Sequence, residues 1–269
     1  MNLYIPYPEW ISPTIFPGLP IRWYGLMYLV AFGIAYGLTM LQLRQRTSDS
    51  PADVNRDQIT DLFFWMILGV IVGGRIVAAT LYDTSGVYLS KPWLVFWPFD
   101  EHMNFTGLAG MSYHGGLIGG LIAFLIYSKK KHLPILATGD LLAASIPLGY
   151  TFGRIGNFLN HELYGRITTA PWGVLFPHAR RLPTGDPVVR ETAEIVGIDI
   201  SGQSLVNLPR HPSQLYEALL EGVILWLVLW FVFRKRKPFD GFMIGAYLIG
   251  YSIARFIAEY FRTPDAGLD

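Results

Sequence analysis

The chain has 269 residues, of which 52% are hydrophobic, 15% aromatic and only 15% charged, whereas about a quarter of the residues in ordinary soluble domains are charged. The formal net charge of +1 gives no indication of a nucleic-acid partner, and the lack of cysteine excludes disulfides, a cysteine nucleophile and cysteine metal ligands. Because the mean hydropathy is positive at +0.34, the composition indicates an integral membrane protein.

The apolar residues form long runs along the chain. The first 20 residues contain neither a positively charged region nor a small-residue cleavage site, so we expect no cleavable signal peptide. Beyond them, several runs approach the roughly 20 residues that a helix needs to cross a bilayer. The sequence predicts six transmembrane helices, at about 21–42, 60–82, 113–128, 138–160, 213–233 and 241–261. We therefore predict an all-α integral membrane protein, a polytopic helical bundle.

A polar stretch at about 161–212 separates the fourth predicted helix from the fifth and predicts a small extramembrane head. No internal repeat or low-complexity linker divides the rest, so residues 1–269 are predicted to form a single membrane domain that carries this head as an insertion. Glycines four residues apart, such as Gly69 and Gly73 or Gly115 and Gly119, predict close packing of helix backbones.

The distribution of lysine and arginine predicts the orientation in the membrane, because short loops rich in these residues stay on the inner side. Such clusters follow the first, third and fifth predicted helices: Arg44, Arg46 and Arg56, then Lys129, Lys130 and Lys131, then residues 234–237. Residues 1–20 contain neither residue type. The N-terminus and the polar head are therefore predicted to lie outside.

Polar side chains gather near the outer ends of the predicted helices. They are Tyr24, Arg75, His114, Arg154, Asn157, Tyr216, Tyr251, Arg255 and Glu259. Tyr251, Arg255 and Glu259 are spaced by four residues and share one helix face, so Arg255 can pair with Glu259. Arg262 follows on nearly the same face.

Arginines inside a membrane have a high energetic cost unless they are paired or face a polar cavity. One interpretation of Arg75, Arg154 and Arg255 is a set of ion pairs with carboxylates that only fixes helix packing; the candidate partners are Glu162, Glu217 and Glu259. Their convergence at one depth instead favours a functional site. A guanidinium can hold a phosphate through two parallel hydrogen bonds, and a phospholipid headgroup is the anion expected at that depth.

Six short motifs carry a family resemblance. They are "RWYGLMYL" at 22–29, "GGRI" at 73–76, "SYHGGLIGG" at 112–120, "GRIGNFLNHELYGR" at 153–166, "RHPSQLYEALLEG" at 210–222 and "YSIARFIAEYFRTPD" at 251–265. With these motifs the chain resembles the bacterial prolipoprotein diacylglyceryl transferase family over about 22–265, and the fourth motif is the family's signature.

The resemblance implies an enzyme of the bacterial inner membrane with a periplasmic N-terminus and an active site towards the periplasm. The expected reaction moves the diacylglyceryl group of phosphatidylglycerol to the lipobox cysteine of a preprolipoprotein, forming a thioether and releasing glycerol phosphate. The expected partners are phosphatidylglycerol, the signal peptide of the preprolipoprotein and membrane lipids. Family members usually continue into a further apolar span after the last motif, so a seventh helix is expected in the family, whereas this sequence stops at Asp269.

By the resemblance, the functional residues are Tyr24, His114, Arg154, Asn157, Glu162, Gly165, Tyr251, Arg255, Glu259 and Arg262, and we add Arg75 to the lipid-binding set. A thiol with a pKa of about 8.5 is mostly protonated at neutral pH, so a base or a positive field must activate it. His114 is the candidate base, Arg154 and Arg255 are the candidate phosphate clamps, and Tyr251 is a further catalytic candidate. Whether His114 or Arg154 contributes more to thiol activation stays open.

Other classes of function fit the sequence less well. The pair His161-Glu162 lacks the second histidine of a zinc-binding helix, and no phosphate-binding glycine loop is present, so we expect neither a metal nor a cofactor. His211, Ser213 and Glu217 lack the nucleophile elbow of a hydrolase. A transporter or channel for an anion is the main alternative, but it would need polar groups through the whole bilayer. A phospholipid acyltransferase would need an acyl nucleophile.

Overall fold

The structure is a computed structural model that describes residues 3–15, 22–45, 54–83, 86–99, 103 and 110–263. The described chain is mostly helical, and five of its helices are long and apolar enough to cross a membrane: Trp23–Gln45, Arg56–Tyr82, Ile135–Leu159, Ser213–Arg236 and Phe242–Glu259. This confirms the prediction of an integral membrane protein built from helices. Arg46 of the first basic cluster and Pro264 and Asp265 of the last motif lie outside the described residues.

The residues of the third predicted span form a helix, Tyr113–Lys130, that is not among these five. His114, the glycines and the two C-terminal lysines lower its hydropathy. Its start is well defined, because the Ser112 side chain accepts a hydrogen bond from the Gly115 N–H at 3.1 Å. A sixth transmembrane helix here therefore stays a prediction.

The helices are numbered in chain order. They are α1 (Trp23–Gln45), α2 (Arg56–Val77, followed by a π-helical turn at Ala78–Tyr82), α3 (Val87–Ser90), α4 (Tyr113–Lys130), α5 (Ile135–Leu159), α6 (Pro187–Val196), α7 (Ser213–Arg236) and α8 (Phe242–Glu259). A short 3₁₀ helix covers Pro92–Val95. Helix α7 is irregular: Ala218–Ile224 and Val228–Phe233 are π-helical and Arg234–Arg236 is 3₁₀.

The polar segment 161–212, together with residues 5–7, forms short strands around two small apolar clusters. Strand β1 (Ile5–Pro6) pairs in parallel with β2 (Val174–Leu175), and β3 (Leu182–Pro183) pairs antiparallel with β4 (Leu205–Val206). The first cluster consists of Tyr7, Val174, Phe176 and Ala179. The second consists of Val189, Ala193, Val206 and Leu208. This segment therefore has apolar packing of its own, which the sequence did not specify beyond a polar head.

The chain divides into two compact units. Unit 1 comprises Met1–Ala35, Ala143–Arg234 and Gly245–Asp269, and unit 2 comprises Tyr36–Leu142 and Lys235–Ile244. The single membrane domain stays a prediction.

Glycines set the close approach of α2 and α4 in unit 2. A Cβ atom on Gly69 would lie 2.7 Å from the Ala123 Cβ, and one on Gly73 would lie 2.9 Å from the Gly119 Cα. Any side chain at these positions would force the helices apart, as the four-residue spacing predicts. In unit 1 the glycine pair of α5 behaves differently, because a Cβ on Gly149 would contact the Ala31 carbonyl at 2.6 Å whereas one on Gly153 would meet open space.

Candidate active site

The polar centre of unit 1 is the carboxylate of Glu217, in the first turns of α7. Its side chain is fully buried and forms ion pairs with three guanidinium groups, accepting hydrogen bonds from those of Arg255 and Arg262. Arg154 of α5 places Nε 3.0 Å from Oε2. Arg262, just beyond α8, places Nη1 3.0 Å from Oε1, and Arg255 of α8 places Nη1 3.4 Å from Oε2. One buried acid thus holds three predicted site residues together.

A second acid, Glu259, lies on the outer side of this cluster. Its Oε2 is 2.8 Å from Arg255 Nη2 and 3.5 Å from Arg262 Nε. This confirms the Arg255–Glu259 pair predicted from the spacing along α8. The pair is open to the surroundings, since the Glu259 side chain is 48% exposed and that of Arg255 is 29% exposed, whereas Arg262 is only 6% exposed.

Tyr150 and Glu221 extend the cluster on its inner side. The Tyr150 hydroxyl donates a short hydrogen bond to Glu221 Oε2 and accepts one from Arg154 Nε at 2.6 Å. The Arg154 guanidinium also lies over the Tyr150 ring, 4.9 Å from its centroid. The ring of Tyr251, a predicted site residue, meets the Tyr150 ring edge-on at 6.0 Å.

Asn157 and Tyr24 lie at the same end of α5. Asn157 is buried, and its Oδ1 is 3.5 Å from Arg154 Nη1. A Cβ on Gly156 would lie 3.6 Å from the Tyr24 Cα, so the first turn of α1 packs against this end of α5. The Tyr24 hydroxyl is 2.8 Å from that of Tyr28.

Glu162 contributes to this region mainly through its backbone. Its N–H donates to the Asn157 carbonyl at 2.9 Å, and its own carbonyl accepts from Gln214 Nε2 at 2.5 Å. Within the described part of the chain, its carboxylate makes no ion pair with an arginine of the cluster, unlike Glu217 and Glu259. Desolvation raises the pKa of the Glu162 carboxyl, and the charge of Arg22 opposes this shift.

Gly165 is needed for a close approach of three chain segments. Its N–H donates to the His211 carbonyl at 2.9 Å, and a Cβ atom there would lie 2.8 Å from that carbonyl oxygen and would also collide with the Phe261 carbonyl. Gly165 also forms a β-bridge with Arg262. Gly165 therefore holds the segment that carries Arg262.

Two predicted site residues, Arg75 and His114, belong to unit 2. Arg75 is buried and donates from Nε to the Val95 carbonyl at 2.6 Å and from Nη1 to the Gly110 carbonyl at 2.8 Å. His114 is exposed in the first turn of α4, where its Nδ1 is 3.4 Å from the Tyr82 hydroxyl. Arg75 thus binds backbone carbonyls of its own unit, a role that the sequence did not indicate.

Sequence reasoning missed two members of the cluster and gave a third too small a role. It names Glu217 only as a candidate ion-pair partner and as part of a rejected hydrolase triad, whereas Glu217 is the common ion-pair partner of three arginines. Tyr150 and Glu221 were not singled out. The available signal was the spacing, because Tyr150 precedes Arg154 by four residues and Glu221 follows Glu217 by four in an apolar run.

Comparison with known proteins identifies the family. The sequence model of the prolipoprotein diacylglyceryl transferase family matches residues 12–268. The chain belongs to this family. It is 52% identical to the phosphatidylglycerol–prolipoprotein diacylglyceryl transferase of Treponema denticola, over 99% of this chain and 82% of the relative. Proteins of the same name from Treponema pallidum and Helicobacter pylori J99 are 49% and 39% identical, over 99% and 100% of this chain and 83% and 87% of the relatives.

In this member of the family, the acids divide the cluster into an inner and an outer part. Glu217 and Glu221 are fully buried. Glu217 pairs with the three arginines directly, whereas Glu221 reaches Arg154 only through the Tyr150 hydroxyl. The Arg255–Glu259 pair is half-open, so an incoming anion can compete with Glu259 for Arg255 while Glu217 keeps its contacts. Such an arrangement can bind a phosphate at the outer edge without dismantling the cluster.

Proposed function

We propose that this chain transfers the diacylglyceryl group of phosphatidylglycerol to the thiol of the lipobox cysteine of a preprolipoprotein, the first step of bacterial lipoprotein maturation. The observation that supports this most directly is the geometry at Glu217. Arg154 and Arg255 contact one buried carboxylate while their side chains remain 14% and 29% exposed. Both guanidinium groups are thereby held in place and still accessible to a phosphate.

The reaction forms one bond and breaks one. The substrate sulfur attacks the glyceryl carbon that carries the phosphate, a C–S bond forms, and the C–O bond to the phosphate breaks. The thiol proton goes to a base, and the bonding electrons leave with glycerol phosphate. Because a phosphodiester becomes a monoester, negative charge grows on the leaving group.

The arginines suit this change in charge. Positioned donors stabilise charge that develops in the transition state, and the loss of one such donor typically costs about 100- to 1000-fold in rate. Arg154 and Arg255 are proposed to hold the phosphate, and their positive field would also raise the thiolate fraction of a substrate thiol. Arg262, with its buried contact to Glu217, is proposed to position the others, with Glu259 yielding to the lipid phosphate.

His114 is proposed as the base. Its Nδ1 is near the Tyr82 hydroxyl, and when Nδ1–H donates to that oxygen, Nε2 carries the lone pair that accepts a proton. The remaining candidates are proposed to line the phosphatidylglycerol site: Tyr24, Arg75, Asn157, Glu162, Gly165 and Tyr251. We further propose six transmembrane helices in the inner membrane, a periplasmic N-terminus and a periplasmic head at 161–212.

The experiment that tests this function is a transfer assay with the purified protein. Phosphatidylglycerol with a labelled diacylglyceryl group is incubated with a lipobox peptide or with the same peptide carrying serine in place of cysteine. We expect thioether product and glycerol phosphate from the cysteine peptide alone. Arg154→Ala and Arg255→Ala should each lower the rate about 100-fold or more.

Arg190→Ala is the matched control, because Arg190 is an exposed residue of α6. Among the described residues, its guanidinium donates a hydrogen bond only to the Gly185 carbonyl. Its activity should equal that of the wild type. If the folded wild-type protein transfers no label to the cysteine peptide, the proposed function is wrong, and anion flux into liposomes would then test the transporter alternative.

A further inference from the structure

One oxygen atom, the Tyr150 hydroxyl, links a buried acid to the proposed phosphate clamp. It donates to Glu221 Oε2 and accepts from Arg154 Nε at 2.6 Å. A hydroxyl has one proton to give. Because the Glu221 carboxylate takes that proton, a lone pair of the hydroxyl is directed to Arg154.

The buried carboxyl group of Glu221 is only partly hydrogen-bonded. Its side chain is fully buried, and its Oε1 has no hydrogen-bond partner among the described residues. Burial of a carboxyl group with one unsatisfied oxygen costs free energy that an apolar side chain of similar size would not. Its other oxygen, Oε2, accepts one hydrogen bond from the described residues, that of the Tyr150 hydroxyl, so this contact is what the buried acid contributes.

Helices α5 and α7 approach each other closely beside this contact. A Cβ atom on Gly222 would lie 3.0 Å from the Thr151 Cβ and would collide with the Thr151 hydroxyl. Gly222 and Thr151 directly follow Glu221 and Tyr150 in the sequence. The surrounding segment of α7, Ala218–Ile224, is π-helical, a local form that often occurs at functional sites.

The contact also determines which edge of Arg154 is free. Nε donates a hydrogen bond to the Tyr150 hydroxyl at 2.6 Å and lies 3.0 Å from Glu217 Oε2 in an ion pair. Nη1 has only a long contact of 3.5 Å with Asn157, and Nη2 donates to no described residue. A guanidinium fixed through Nε presents its terminal nitrogens, which are the pair that binds a phosphate through two hydrogen bonds.

We propose that Tyr150 and Glu221 are positioning residues: Glu221 orients the Tyr150 hydroxyl, and the hydroxyl orients Arg154 so that its terminal nitrogens face the lipid phosphate. This inference rests on the proposed function. It adds to that function a second layer of residues, which act on the substrate only through Arg154.

The test is a double-mutant cycle on kcat and KM for phosphatidylglycerol. Tyr150→Phe removes the hydroxyl but keeps the ring beside Arg154. Glu221→Leu replaces the acid by an apolar side chain of similar size. We expect each to lower kcat/KM roughly 10- to 100-fold, in line with a lost hydrogen bond to a charged group. The double variant should be no worse than either single variant, because both remove one interaction. Glu221→Gln, whose amide oxygen can still accept from Tyr150, should retain most of the activity.

Tyr127→Phe is the matched control, since this hydroxyl also donates to a carboxylate of another helix, Asp61, at 3.2 Å, within unit 2. It should keep the wild-type kcat/KM. Unfolding midpoints of all variants separate a positioning role from a structural one. The inference is overturned if Tyr150→Phe retains wild-type kcat/KM, if the double variant loses activity additively, or if the losses only follow the midpoints.

Binding of a fluorescent phosphatidylglycerol in detergent micelles gives a second readout. If the wild type transfers label but Tyr150→Phe is unchanged, the positioning role fails and the proposed function stands. If the wild type transfers nothing, the proposed function fails, and the positioning role is then judged by whether Tyr150→Phe and Glu221→Leu weaken lipid binding by the same factor. Equal binding by the variants and the wild type overturns it.

Discussion

Arg262 Nη1 and Glu217 Oε1 lie 3.0 Å apart, and the two side chains are only 6% and 0% exposed. Removal of one partner of a buried ion pair is strongly destabilising, because it leaves an unpaired charge in a medium that solvates it poorly. This pair therefore couples the stability of unit 1 to its proposed chemistry.

Glu217→Gln tests that coupling. The substitution keeps the shape of the side chain but removes the charge that neutralises three arginines, so we expect a loss of about 3–5 kcal/mol of stability together with loss of transfer activity. The measurement is the denaturant midpoint in detergent, read by intrinsic fluorescence. Glu259→Gln is the control: because the Glu259 side chain is 48% exposed, its loss should cost about 1 kcal/mol or less. Equal losses for the two variants would contradict the inner and outer roles.

Gly165→Ala should separate the segments that meet at Gly165. The new Cβ would lie 2.8 Å from the His211 carbonyl oxygen, and overpacking of this kind typically costs about 1–3 kcal/mol. Activity should fall as well, since Arg262 is bridged to Gly165. Gly185→Ala is the control, because a Cβ there would meet nothing within 4 Å. Thermal midpoints and transfer rates for the two variants provide the comparison, and a wild-type midpoint for Gly165→Ala would refute the assigned close approach.

The stability of unit 1 should depend on the protonation of His161. This residue is buried between Tyr7, at 4.1 Å between ring centroids, and His178, at 5.4 Å. Desolvation lowers the pKa of His161, the charge of His178 lowers it further, and the backbone of Ile11 opposes the shift. The folded state therefore prefers the neutral ring.

The neutral His161 ring contributes its full stability above the ordinary pKa of about 6.5, and this contribution is lost as the pH falls through the lowered pKa of the folded state. We expect the unfolding midpoint to decrease between pH 7.5 and pH 5. His161→Phe should make this decrease smaller, with a remainder from His211, whose pKa burial also lowers. His132→Asn, at an exposed position with φ of 55°, should leave the decrease unchanged. A pH profile identical in His161→Phe and wild type would rule out this assignment.

Asp140 should be a strong stabilising residue of unit 2. Its two carboxylate oxygens accept from the backbone N–H of Gly241 at 2.7 Å and of Ile244 at 3.0 Å, at the start of α8, and Lys237 Nζ lies 3.2 Å away. Asp140→Ala leaves these groups without their acceptor, so we expect a loss of about 2 kcal/mol or more. Asp240→Ala, which removes an acid that is 57% exposed, should change stability by less than about 1 kcal/mol. Denaturant titrations of both variants provide the measurement.

The sequence predicted the parts of the site whose spacing or chemistry is unusual in a membrane. Arg255 and Glu259 could be paired because they are four residues apart on a helix, and Arg154 stood out because arginine is costly in an apolar span. The inner layer could not be predicted in this way. A tyrosine such as Tyr150 is ordinary in an apolar helix. Its hydrogen bond to Glu221 joins residues 71 positions apart in the sequence, so it depends on how α5 and α7 pack.

The local irregularities of the helices and the very short strands could not be predicted from the sequence either. The apolar run of α7 predicts a regular helix, whereas Ala218–Ile224 is π-helical. The strands of the polar segment are two residues long, too short for an alternating pattern to indicate them. The sequence places Arg75 in the lipid site by its depth alone. Its hydrogen bonds to the carbonyls of Val95 and Gly110 join residues far apart in the chain, and no helical or strand periodicity predicts them.

The pairing of β1 with β2 has a consequence for how the protein is made. Ile5 pairs with Val174, and the Tyr7 hydroxyl donates to the Phe158 carbonyl. These first residues leave the ribosome long before their partners, which follow roughly 10 to 30 s later at ordinary rates of synthesis. During that interval three long apolar helices must enter the membrane while the β1 segment waits without its native partner. Completion of the fold around Tyr7 is therefore a late event in biogenesis, and a nascent chain halted before residue 174 should leave its N-terminal residues open to a protease.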